Sequence, residues 1–151
     1  MAQRITRTGN FELPLQPAVA IDLFTAEGER DWIPGWIPEY PESGAVHDAV
    51  GTVFTRRHPR GAETFVVVAN EPLVRRYARF TAGFSAGTVE VECAAAGEGT
   101  LVRVTFDVTA LSREGAEWID GFGAGYDEMM TQWRDWILAA RGSRATVGPS
   151  S

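Results

Sequence analysis

The sequence predicts an α+β fold in which a curved antiparallel sheet of about six strands wraps around one long C-terminal helix. Two patterns predict it. Read at about 100° per residue, residues 112–141 gather Gly115, Trp118, Ile119, Phe122, Tyr126, Met129, Met130, Trp133, Trp136, Ile137 and Ala140 into one uncharged arc roughly 120° wide. Residues 51–109 alternate instead with a period of two, in runs separated by short breaks that suit hairpins. The helix stripe and the dry strand faces need one another for burial.

In chain order, Arg4 to Leu13 reads as a first strand, with Ile5, Phe11 and Leu13 apolar and Pro14 ending it. Pro17 fits the first turn of a short helix, where its missing N–H costs nothing, and Ala18, Ile21, Leu23 and Phe24 give that helix an apolar side. Gly28 interrupts it, and a second short helical piece is expected before the aromatic loop Trp32 to Tyr40. Pro34-Gly35 suits the centre of a type II turn, and each Pro pushes the residue before it toward extended geometry. That loop is a plug for one end of the core or a wall of a ligand cavity, and burial alone explains most indoles.

Five further strands follow: Thr52 to His58, Glu63 to Asn70, Val74 to Thr81, Thr88 to Ala95 and Leu101 to Thr109. The last two alternate most cleanly, with Val89, Val91 and Cys93 opposing Glu90 and Glu92, and Val102, Val104, Phe106 and Val108 opposing Arg103, Thr105 and Asp107. The strand Val74 to Thr81 has two readings. Inward Val74, Ala78 and Phe80 leave only Arg76 to explain, and the cost of desolvating unpaired charge favours this register. Inward Tyr77 and Arg79 would instead place a cation inside, as an anionic or polyphenolic ligand requires. Ser112 caps the long helix with Glu114 in its first turn, Gly142 is placed to end it, and residues 142–151 read as a disordered tail to a single domain over 1–141.

Composition limits the partners. A formal net charge of −6 disfavours nucleic acid and anionic membrane surfaces. No apolar run approaches the roughly 18 residues that span a bilayer, no signal-peptide-like segment precedes the first strand, and the lone Cys93 forms no internal disulfide, so a cytoplasmic location is expected. His47 and His58 are the only histidines and lack metal-ligand spacing, so neither metal nor cofactor is expected. Gly121 to Gly125 lacks the spacing and strand context of a nucleotide loop, and no nucleophile elbow occurs. Glu27, Glu29 and Asp31 read as solvated charges.

Several motifs stand out along this order of elements: Pro17 to Phe24 leading into Glu27-Gly28-Glu29-Arg30-Asp31-Trp32, Pro34-Gly35-Trp36, Gly51-Thr52-Val53-Phe54, the Gly99-Thr100 turn, and Thr109 to Gly115. Together they resemble the START-like, or SRPBCC, superfamily with the helix-grip fold. The stretch Glu27 to Tyr40 looks like a bacterial subset of unassigned function. The resemblance implies an elongated apolar cavity between helix and sheet, and fold alone does not assign an activity. The glycines at 115, 121, 123 and 125 fit that cavity, a helix bend or close packing equally well. The expected lining is Trp36, Phe54, Phe65, Val67, Val104, Phe106, Phe122, Tyr126 and Met130, with Tyr77 added by the second register. Tyr126, the one hydroxyl in the arc, is the candidate catalytic residue, or it donates to the sheet backbone. The expected function is binding of a small, largely apolar lipid, sterol or polyketide-like aromatic molecule. The alternatives are a polyketide cyclase, aromatase or dehydratase using the same cavity, and a chaperone-activator-like interaction module.

Overall fold

A computed structural model describes residues 3–42 and 47–147, with side chains placed as far as residue 142. Strands β1 (Arg4–Leu13), β2 (Val53–His58), β3 (Gly61–Glu71), β4 (Val74–Thr81), β5 (Ser85–Ala96) and β6 (Gly99–Ala110) form one sheet in the order β1-β6-β5-β4-β3-β2. Every pairing is antiparallel. Consecutive strands from β2 to β6 are joined by hairpins, as the short breaks require, and β1 returns to the edge beside β6. A register shift in β3 between Val67 and Ala69 adds the local twist that curves the sheet. The fold is α+β, a curved antiparallel sheet closed by C-terminal helices.

Between β1 and β2 run α1 (Pro17–Asp22) and a 3₁₀ turn over Gly28–Asp31. Pro17 lies in the first turn of α1, and Ala20, Ile21, Leu23 and Phe24 are buried. The aromatic loop is pinned to this segment by its indoles. Trp32 Nε1 donates to Leu23 O and Trp36 Nε1 to Ala26 O, each at 2.7 Å. Gly35 takes φ 72°, as the Pro34-Gly35 turn predicts.

The long helix is two helices, α2 (Arg113–Ala124) and α3 (Tyr126–Val147). Gly125 breaks it: with φ −95° and ψ 9° it leaves helical geometry, its N–H bonding Gly121 O and Gly123 O. The ladder then resumes from Met129 N to Gly125 O. Ser112 caps α2 through its side chain, which accepts from Gly115 N at 3.0 Å. Gly142 does not end α3, which passes through it to Val147, so the expected tail is partly helix and residues 148–151 lie outside the described residues.

Gly115 and Gly9 mark where the C-terminal helices pack closely. A Cβ on Gly115 would sit 2.0 Å from Phe84 O, so α2 starts against the β4–β5 turn and leaves no space for a ligand there. A Cβ on Gly9 would sit 2.6 Å from Met130 Cγ, because α3 crosses directly over β1. The resulting core is centred on Phe24, Val102, Val104, Val108, Ile119 and Ile137. Among the described residues no helix is long and apolar enough to cross a membrane.

Candidate functional site

A cavity of about 440 Å³ lies between the concave sheet face and the helices. Period-two alternation supplies its floor: Phe54, Arg56 and His58 from β2, Phe65 from β3, Tyr77 and Arg79 from β4, Val89 and Val91 from β5, and Phe106 from β6. Trp118, Phe122, Met129, Trp133 and Trp136 form the helical wall, and Phe24, Glu29, Ile33, Pro34 and Trp36 close the third side. The rings are in mutual contact. Phe54 stacks on Phe65 at 4.8 Å, Trp36 meets Phe65 edge-on at 5.9 Å, and Trp118 stacks on Phe122 at 5.0 Å. The aromatic loop serves as both plug and wall: Trp32 is buried against Phe24 and Trp133, whereas Trp36 lines the cavity.

Of the residues expected to line it, Trp36, Phe54, Phe65, Tyr77, Phe106 and Phe122 do so. Val67, Val104, Tyr126 and Met130 are sealed in the packed core beside the cavity. Tyr126 is 2% exposed, and its hydroxyl donates to Val104 O at 2.6 Å. Burial pushes that phenol upward, and its one proton is already committed to the sheet backbone. Tyr77 resembles it in part: its hydroxyl donates to Phe24 O at 2.8 Å, while its ring still faces the cavity.

The favoured register of β4 is overturned. Tyr77 and Arg75 are buried, Arg79 faces the cavity, and Phe80 is 46% exposed. The desolvation argument failed because the arginines are not unpaired. Glu63, 1% exposed on β3, accepts from Arg56 Nε at 2.6 Å and also from Arg79 Nη2. Arg79 further lies over the rings of Phe106 at 5.6 Å and Phe65 at 5.9 Å, and Arg56 over Trp36 at 5.1 Å. Arg75 donates to Glu71 O, to Val74 O at 3.1 Å and to Asp22 Oδ1 at 3.4 Å.

Two carboxyls in this neighbourhood titrate in opposite directions. Burial alone would raise Glu63, but Arg79 and Arg56 outweigh it and hold the group below the usual carboxylate range. Glu29 is not the solvated charge that the sequence predicts: the 3₁₀ turn sets it in the cavity wall. Burial pushes its carboxyl up to about 8, the pull of Arg56 being too weak to offset that cost and Glu63 adding to it. Its carboxyl has no hydrogen-bond donor among the described residues. Glu27 behaves as expected of an exposed group, accepting from Arg30 Nε at 2.8 Å and from the Tyr40 hydroxyl at 2.5 Å. Burial at the rim lowers His58, with the nearby arginines adding to the effect and Glu63 opposing it. Among the described residues no three His, Cys, Asp or Glu side chains gather in a metal-binding group.

Glu29, Arg56, His58 and Arg79 are the polar residues that sequence reasoning missed as a set. The signal lay in the second register of β4 and in the two-residue spacing of Phe54, Arg56 and His58. The glycines of the helix gave no such signal, since Gly115 marks close packing and Gly125 a break.

The chain has the helix-grip fold, the fold of the START-like, or SRPBCC, superfamily. No protein-family model matches the sequence, and no curated protein does either. Solved structures do. An uncharacterised protein from Rhizobium leguminosarum is similar with a TM-score of 0.67 at 15% identity, covering 92% of this chain and 97% of that one. The norcoclaurine synthase of Thalictrum flavum, solved in complex with dopamine and hydroxybenzaldehyde, gives a TM-score of 0.63 at 10% identity over 91% of this chain and 88% of that one. The Aha1 dimer of Colwellia psychrerythraea gives 0.61 at 14% identity over 87% and 94%. Likeness at such identities carries the fold and leaves the chemistry to the residues of the cavity.

Proposed function

We propose that this protein binds a small, largely apolar molecule in the cavity between the sheet and the C-terminal helices. The observation that carries this reading is the cavity itself, about 440 Å³ in volume and walled by Trp36, Phe54, Phe65, Phe106, Phe122 and Trp133. Its size falls within the range of about 300–1,000 Å³ usual for small-molecule sites. Ring faces on three sides favour flat or ring-containing skeletons over branched ones. The solved complex of norcoclaurine synthase with two small aromatic molecules supports the same use of this fold.

Intrinsic fluorescence tests it, because Trp36, Trp118, Trp133 and Trp136 line the cavity. Titration with flat polyphenols, sterols and fatty acids is expected to give a saturable change for at least one class, with the flat ring compounds strongest. Linear, non-saturating responses to all three would reject the reading.

A further inference from the structure

The walls of the cavity do not balance in charge. Arg56 and Arg79 carry two positive charges, and Glu63 supplies one negative. Glu29 is held largely protonated at neutral pH and so does not compensate the remainder, while burial lowers His58 and disfavours a further positive charge there. The helical wall adds nothing, since Trp118, Phe122, Met129, Trp133 and Trp136 are all uncharged. One positive charge is left in a space whose other surfaces are aromatic.

Donors accompany the charge. The Arg79 side chain is 13% exposed and makes one hydrogen bond, to Glu63, so most of its five N–H groups stay unmatched beside the cavity. Arg56 likewise uses only Nε, on the same carboxylate. Glu63 and the stacked rings fix both guanidiniums in place, so their unused donors are already oriented before a ligand arrives. Opposite them Glu29, in its neutral form, offers one O–H and no repulsion to an anion.

We propose that the ligand is an anion: a flat apolar skeleton bearing one carboxylate or similarly acidic group, its charge set against Arg79 and Arg56 and its body against the aromatic wall. This rests on the cavity being a ligand site, and it narrows the ligand class. Rings and guanidiniums alternate on one surface, so a neutral hydrocarbon would leave the unmatched donors dry and an amine would meet like charge. The anion alone satisfies both the charge and the donors. Binding is also linked to protons, because ionised Glu29 repels the ligand. The groups facing Glu29 are Arg56 and His58 on β2, Glu63 on β3, and Tyr77 and Arg79 on β4.

The test is calorimetric titration of the full chain with three probes of one skeleton: 2-naphthoate, 2-naphthalenemethanol and 2-naphthylmethylamine. At about pH 7 the carboxylate is expected to bind at least tenfold tighter than the alcohol and the amine weakest. Raising the pH to about 9 is expected to weaken naphthoate by up to about tenfold as Glu29 ionises, and Glu29→Gln to remove that dependence. Equal affinity for carboxylate and alcohol, or preference for the amine, overturns the anion assignment and leaves the cavity reading standing. Loss of the pH dependence only at another residue also overturns it. Absence of saturable binding by all three probes overturns both readings.

Discussion

The floor and the rim of the cavity each hold one carboxyl, and the two are opposites. Glu63, on the floor strand β3, is fully enclosed and stays ionised because two guanidiniums supply what water would have given. Glu29, on the 3₁₀ turn in the cavity wall, is driven toward its neutral form by burial, a cost that no donor among the described residues offsets. Burial raises both carboxyls, and the two arginines reverse that effect only at Glu63. One carboxyl holds the floor together, and the other leaves a group whose charge a ligand or the solvent pH can change.

The largest effect expected from this contrast is on stability. Glu63→Ala leaves the Arg79 and Arg56 guanidiniums without their shared carboxylate and is expected to cost about 3–5 kcal/mol in denaturant unfolding. Glu29→Ala, measured at about pH 3.5 where the carboxyl is largely protonated in both states, is expected to change stability by less than about 0.5 kcal/mol. Equal costs for the two substitutions would break the comparison.

The pH dependence sharpens it. Glu29 has a folded value near 8 against a reference of 4.5, so the folded state binds more protons than the unfolded chain between those values. Stability from this group is therefore full at and below about pH 4.5 and declines as pH rises toward 8. Allowing for water in the cavity, the loss is on the order of 2 kcal/mol, and Glu29→Gln should abolish it. Glu63 has the reverse sign: its lowered value makes its contribution full above the reference value and lost as pH falls through the folded one. Unfolding free energies of wild type and Glu29→Gln across about pH 4.5 to 9 isolate the Glu29 contribution, since Glu63 acts below that range, and parallel curves would contradict the Glu29 assignment.

A smaller effect compares the packed and open edges of the helical stripe. Tyr126→Phe removes a hydroxyl that donates to Val104 O inside the core. It is expected to lower stability by about 0.5–1.5 kcal/mol while leaving affinity for naphthoate unchanged. A fall in affinity at full stability would mean the hydroxyl acts in the cavity.

That stripe shows how much was legible beforehand. The charge-free arc of residues 112–141 was visible in the periodicity, as were the hairpin order and the helix cap. The arc is two surfaces, however. At about 100° per residue, Trp118, Phe122, Met129, Trp133 and Trp136 fall in one half, which lines the cavity. Ile119, Tyr126, Met130 and Ile137 fall in the other half, which is core. Hydrophobic periodicity reports burial and is blind to whether the neighbour is protein or cavity, so it does not separate Tyr126 and Met130, packed in the core, from Phe122, which lines the cavity. The β4 register was missed for a related reason. The cost of burying Arg79 depends on Glu63, and that partner appears only once the β3–β4 pairing is known. Glu29 needed the 3₁₀ turn, whose tight winding separates it from Glu27 despite their spacing of two.

The most direct test of the cavity as ligand site uses the five indoles. In a ¹H–¹⁵N spectrum the Nε1 signals of Trp36, Trp118, Trp133 and Trp136 report on the cavity wall, while Trp32, buried and bonded to Leu23 O, reports on the plug. Addition of 2-naphthoate is predicted to shift the wall signals saturably, Trp36 and Trp118 among the most, with Trp32 moving least. A largest shift at Trp32, or no saturable shift at any wall indole, would contradict the account.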